Sequence, residues 1–172
     1  HRRQRQMCIR DRHEIMEQLF NVFLEIPNLK ILASQHKNRL GVISFYIDDL
    51  HFNLAVKLLN DKFGIQTRGG CSCAGTYGHY LLHVDYETSH TLTDEILHGN
   101  LFRKPGWIRL SIHPTLTCDE ITHIGNSVKL LAENWKDWAE DYLYNKDNNE
   151  FEHKTLSNKS ARMDSVNSWF NI

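Results

Sequence analysis

The apolar patterns of this chain, taken in order, predict an α+β domain: a small, mostly antiparallel sheet with helices packed on one face. Three observations lead there. The run Gly41-Val42-Ile43-Ser44-Phe45-Tyr46-Ile47 is β-branched and aromatic, which marks a largely buried strand. A second run, Trp107-Ile108-Arg109-Leu110-Ser111-Ile112, alternates in the manner of a partner strand. Each is followed by a segment with helical spacing and a capping residue at its start.

The opening twelve residues, His1 to Arg12, hold five arginines and no apolar periodicity, and no apolar stretch follows to make a signal peptide. This leader is expected not to fold. Its run Arg-Gln-Arg-Gln-Met-Cys-Ile-Arg-Asp resembles translated sequencing-adapter read-through, so the leader reads as non-native and Cys8 receives no role. From Glu14 to Glu25, Ile15, Leu19, Val22, Phe23 and then Ile26 recur at steps of three and four, which predicts an amphipathic helix stopped by Pro27. A short strand is expected over Leu29–Ala33, then a polar loop over Ser34–Arg39 that leads into the Gly41 strand.

Asp48 or Asp49 is placed to cap a helix through Phe52, Ala55, Val56, Leu58 and Leu59 to Phe63, with Gly64 as its stop. Ile65–Arg68 reads as a short strand that delivers the turn Arg68-Gly69-Gly70-Cys71-Ser72-Cys73-Ala74-Gly75. Between Thr76 and Gly106 the pattern thins to helical pieces near Tyr77–Val84 and Thr93–Leu101, with Pro105-Gly106 as a breaker. In the strand that follows, Arg109 shares a face with Trp107 and Ser111. Thr117-Cys118-Asp119-Glu120 has capping-box spacing and opens a helix through Ile121, Ile124, Val128, Leu131 and Trp135 toward Tyr142. Residues 145–172 are polar, and a stretch of that composition is not expected to fold alone; its Trp169-Phe170 end would need another surface to cover it. The expected division is therefore a leader over 1–12, one domain over 13–144 and a polar tail over 145–172.

Composition narrows the functional classes. A chain of 172 residues suits one domain, and 20 basic against 21 acidic residues leave a net charge of -1 with no basic stripe for nucleic acid. No apolar run approaches the roughly 20 residues of a membrane span. The four cysteines, Cys8, Cys71, Cys73 and Cys118, are too few and too scattered for a disulfide framework, which points to reduced thiols and a cytoplasmic protein. Eleven histidines are many for this length, and His79, His83, His90 and His98 follow the thiols.

The turn at Arg68–Gly75 is where chemistry is expected first. Glycines let the backbone take positive φ and approach a ligand, and a neighbouring Arg favours the nucleophilic thiolate. The plainer alternative is a glycine turn with small buried cysteines. Cys71, Cys73, His79 and His83 have ligand chemistry that suits zinc, but the spacing lacks the C-x2-4-C knuckle, and no metal is assigned.

Three motifs in order carry a family resemblance: Arg39-Leu40-Gly41-Val42-Ile43-Ser44-Phe45, then Arg-x-Gly-x-x-Cys-Ala ending at Ala74, then Arg109-x-Ser111 before a Thr-capped helix. Together they resemble the C-terminal small domain of class V aminotransferases, in particular the cysteine desulfurase and selenocysteine lyase branch, over about residues 14 to 138. The resemblance implies a fold-type I enzyme with pyridoxal 5'-phosphate held mainly by an N-terminal domain outside this sequence, an amino-acid substrate and a homodimer. It implies that Cys73 accepts sulfur, that Arg109 binds the substrate carboxylate and that Arg68 adds positive charge to the same pocket. A transaminase, epimerase or lyase without a catalytic Cys is the alternative within the family, and a non-catalytic interaction domain the alternative outside it. Two features depart from the pattern: the long His- and Tyr-rich segment over 76–106 and the extra thiol Cys71. His36-Lys37 mimics the dipeptide that carries the cofactor in this family, but it falls in a polar loop, and a Schiff-base lysine needs a desolvated pocket.

Overall fold

The structure, a computed structural model, describes residues 2–71 and 75–155, with side chains from residue 13 on. Five helices and six strands follow one another: α1 Arg2–Leu24, β1 Leu29–Ile31, β2 Val42–Ile47, α2 Phe52–Phe63, β3 Arg68–Gly70, α3 Gly75–Leu81, α4 Tyr86–Leu97, β4 Trp107–Ser111, α5 Cys118–Ala139, β5 Tyr142–Asn145 and β6 Glu150–His153. The first four strands to pair form one antiparallel sheet in the order β1-β2-β4-β3, and β5 and β6 form a separate hairpin. The predicted α+β layout is therefore what the chain adopts.

Period-two alternation decides which face of the sheet is covered. Ile43, Phe45 and Ile47 of β2 and Ile108 and Leu110 of β4 are buried, and they join Leu19, Phe20 and Phe23 of α1, Leu58 and Leu59 of α2, and Val128 and Leu131 of α5 in one core. Phe23 and Phe45 meet edge to face with centroids 5.1 Å apart. Each such side chain contributes about 1.5–3 kcal/mol of apolar burial, so the helical layer on this face holds the domain together.

The helix over α5 has the capping box read from the sequence: Thr117 Oγ1 accepts from Glu120 N, and Glu120 Oε2 accepts from Thr117 N at 2.7 Å. Gly64 closes α2 in the left-handed conformation, φ 68°. Four expectations need correction. Helix α1 begins at Arg2, not near Glu14, so the leader is continuous with the first helix. The cap of α2 is His51, whose Nδ1 accepts from Asn53 N at 3.1 Å; Asp49 instead takes a positive φ of 64° in the preceding turn. The third strand is Arg68–Gly70 and not Ile65–Arg68, because pairing with β4 defines it and local β-propensity does not. The polar stretch after Tyr144 is not all tail, since β5 and β6 pair from Tyr142↔His153 to Asn145↔Glu150.

That hairpin is fastened to α2. Tyr142 donates to Asp61 Oδ2 at 3.1 Å, Asp61 also meets Lys57 Nζ at 3.5 Å, and Asn53 Nδ2 donates to the Asn149 carbonyl. Burial and the neighbouring Asp61 carboxylate push the Tyr142 phenol well above its ordinary range. No helix among the described residues is long and apolar enough to cross a membrane.

Thr117→Ala removes one half of the capping box and leaves the core untouched. It is expected to cost about 1 kcal/mol, read as a lower urea midpoint at unchanged m-value, and an unchanged midpoint would show that the cap contributes nothing.

Candidate functional site

The face of the sheet turned away from the core helices carries the candidate residues. Register pairs Ser44 with Arg109, and Arg109 with Arg68, so the three stand in one row across β2, β4 and β3. Phe45 and Ile108, one residue along from Ser44 and Arg109, point into the core, which puts the row itself on the opposite face. Arg109 is half-buried and Arg68 exposed. Directly opposed residues have Cβ atoms about 4.5–5.5 Å apart, and like charges at that spacing repel. Neither guanidinium has a carboxylate partner among the described residues, where the ion pairs are Lys30–Asp48, Lys57–Asp61 and Arg103–Glu95. Two adjacent planar forks without an acid are suited to a carboxylate or another small oxyanion.

One row along stand Gly70 and Trp107, and continuing the β2–β4 register sets Tyr46 beside Trp107. Trp107 is only 5% exposed although it lies on the open face. Its cover comes from α3: a Cβ built at Gly78 would lie 3.3 Å from Trp107 Cζ3 and 3.9 Å from Cys71 Cβ. The segment between the glycine turn and β4 thus folds as two helices, and the first packs on the sheet beside the arginine row.

The glycines of the turn have separate reasons. A Cβ at Gly69 would come within 2.8 Å of Phe52 Cδ2, so this glycine lets β3 press on the start of α2 rather than on a ligand. Gly70 has φ 116°, which only glycine adopts without strain. Cys71 follows as a half-buried free thiol against Gly78, and Cys118 is an exposed free thiol at the start of α5. Cys73 lies outside the described residues. His79 is engaged with Ser89 Oγ at 3.0 Å, and no three His, Cys, Asp or Glu side chains among the described residues converge as a metal site.

Beyond Tyr46 the open face leads into a groove of about 540 Å³ between the β2–α2 turn and residues 102–106, with Leu82 on its α3 side and Phe52 and Phe102 among its apolar walls. His51 lies at its base, stacked on Phe52 and Phe102 with centroids 4.5 and 5.4 Å away and tilted against Phe151 of the hairpin. Its Nε2 is shut off from solvent without a hydrogen bond of full geometry. Burial accordingly holds the imidazole below the ordinary His range, moderated by the nearby Phe102 backbone and Asn149 side chain. This ring cluster was not legible as a unit in the sequence, because its members come from α2, the segment before β4 and the hairpin. A weak signal was present in the alternation of Tyr142-Leu143-Tyr144 and Phe151 on either side of a Lys-Asp-Asn-Asn turn.

Comparison with known proteins gives three findings. The aminotransferase class-V family description matches residues 4–124. No curated protein matches. Among the 48 matching chains of solved structures is the cysteine desulfurase CsdA of Escherichia coli in its S-sulfonic acid form: 16% identity, 73% of this chain and 25% of that one covered, TM-score 0.45. The chain thus spans about a quarter of that relative's length.

The described residues do not supply an attachment point for a Schiff-base cofactor. No lysine among them is buried; the half-buried Lys57 is engaged with Asp61, and Lys37 is exposed in its loop. A lysine that must lose its proton near neutral pH needs a desolvated setting, and none of these has one.

The half-buried His51 makes stability pH-dependent with a definite sign. Its folded-state pKa lies below the unfolded value of about 6.5, so the unfolded chain takes up the proton first as pH falls. Stability is therefore full above that value and declines below it until the folded state also protonates. His51→Asn keeps a capping acceptor and cannot titrate, so urea unfolding of this variant should show a shallower loss as pH falls below about 6.5. Equal slopes for the two proteins would contradict the assignment.

Proposed function

Since the chain belongs to the class V aminotransferase family, a family of pyridoxal-phosphate enzymes, we propose that it is the small domain of a larger enzyme acting on an amino acid and that Arg109 anchors the substrate carboxylate. The observation that carries this reading is the opposed pair Arg68 and Arg109 on the open face, with no acid beside either among the described residues. A carboxylate set against the pair would offset their repulsion and gain two parallel hydrogen bonds from one planar fork. Half-burial makes Arg109 the better anchor, and exposed Arg68 would act as a second positive charge that draws the anion in.

In this reading the cofactor, its lysine and the partner subunit of a cytoplasmic homodimer belong to the rest of the enzyme. The cofactor supplies the electron sink for bond cleavage at the substrate's α-carbon; the part played here is to bind and orient the carboxylate. Cys73, next to the arginine row in sequence, would be the sulfur acceptor if the reaction is cysteine desulfuration or its selenium counterpart. The thiolate is the attacking form, and Arg68 is the nearest cation in the chain to favour it. A transaminase, epimerase or cofactor-only lyase would use the same anchor and leave Cys73 without a chemical role.

Arg109→Ala in the complete enzyme is expected to raise KM and to lower kcat/KM by about 2–5 kcal/mol. Arg109→Lys should recover little, because an ammonium does not reproduce the fork. A kcat/KM within threefold of the parent would remove the anchor assignment. Cys73→Ser separates the branches: loss of sulfide release with intact substrate binding fits a desulfurase, while full activity fits the cofactor-only chemistries.

A further inference from the structure

The segment over 76–106 departs from the family pattern, and its placement suggests why. Helix α3 sits on Trp107, one row from Arg109 on the same face, and the groove with Leu82 and Phe102 in its walls begins at Tyr46 in that same row. We propose that this segment is a specificity wall: the groove receives the far end of the substrate whose carboxylate rests on Arg109, and the substrate carries an aromatic or long aliphatic side chain. The proposal rests on the carboxylate anchor and, within the family, on the chemistries that leave Cys73 without a chemical role.

Two lines of geometry support it. Rows on one face of a strand are about 7 Å apart, so the one- or two-atom side chain of alanine or cysteine, held at Arg109, falls short of the groove, whereas a phenyl ring or a long alkyl chain spans the gap. The lining also favours an apolar occupant. Tyr46, Phe52, Leu82 and Phe102 present rings and methyl groups, and of the four charged residues in the walls Arg103 is paired with Glu95 at 2.8 Å and Asp48 with Lys30 at 3.9 Å, while Asp49 and Lys104 are exposed. Phe102 is 48% exposed, an aromatic surface only half covered by the described residues. Burying part of a ring there gains free energy in proportion to the area covered.

The test uses the full chain, isotope-labelled, titrated with N-acetyl-L-phenylalanine and with N-acetylglycine while amide NMR signals are followed. These probes share the carboxylate and differ in the far end. Both should shift Ser44 and Arg109, and N-acetyl-L-phenylalanine alone should shift Tyr46, Leu82 and Gly106 and bind about tenfold more tightly. In Leu82→Ala and in Phe102→Ala the affinity ratio should fall to less than about threefold. Phe102 contacts His51 and Tyr144, so its variant carries a risk to folding that Leu82→Ala does not share. Equal affinities in the parent chain, or shifts confined to the arginine row for both probes, would overturn the wall and leave the anchor standing. Failure of both probes to shift Arg109 would overturn the anchor, and the wall with it.

Discussion

Everything in this domain depends on the pairing of β2 with β4. Because strand side chains alternate, the register that sets Phe45 against Ile108 in the core also sets Ser44 against Arg109 on the far side. A slip of one residue would reverse both, turning a guanidinium into the apolar layer and two large hydrophobes out to water. Burying an unpaired charge is far costlier than exposing a methyl group, so the core selects one register strongly. The position of Arg109 follows from that selection without any interaction of its own.

The opposition of Arg68 to Arg109 gains meaning from how other cations in the chain are used. Arg39 donates to the carbonyls of Leu32, Ala33 and His36 and lies over the Phe20 ring at 5.1 Å. It braces the loop between β1 and β2, and burial lowers its pKa from the usual arginine value. Lys62 sits over Trp138 at 4.9 Å, and Lys57 meets Asp61. Cations with a structural task here are matched with carbonyls, rings or acids. Arg68 and Arg109 are instead matched with each other across two strands, an arrangement that repels unless an anion joins it. What sets these two apart from the other cations without an acid partner is that strand register holds them opposite each other on one face.

What could be read from the sequence was what local pattern decides. The β2 and β4 runs, the Thr117 capping box, the Gly64 stop and the face of Arg109 all depend on a few neighbouring residues, and each is where the pattern put it. What could not be read depends on distant partners. Strand β3 contains two glycines and has little β-propensity, so its bounds come from β4. The Arg68–Arg109 apposition is likewise a matter of register between segments far apart in the chain. Asp48 and Asp49 looked like caps by residue type, but the turn carries Asp49 through a positive φ and leaves His51 at the helix start, where ring stacking also holds it. The hairpin escaped notice because four-residue strands around a polar turn carry too few apolar positions to show a period. Its stability comes from Tyr142, Tyr144 and Phe151 reaching residues elsewhere.

Phe52 explains how the open face, the groove and the segment over 75–106 keep a fixed relation. A Cβ at Gly69 would lie 2.8 Å from this ring, and one at Gly106 would lie 2.5 Å from it. The end of β3 that leads to the thiol turn and the residues that lead into β4 are therefore both seated on one buried side chain at the start of α2. A side chain at either glycine would collide with the ring, so the three pieces pack closely, and close-packed interiors transmit displacement instead of absorbing it. His51, stacked on the other side of Phe52, ties the hairpin into the same unit. The arginine row is thus held by strand register, and the groove beside it by a single aromatic contact set. The two meet at the row of Tyr46 and Trp107, so a shift of α3 changes the groove first and the arginine row only through the strands they share.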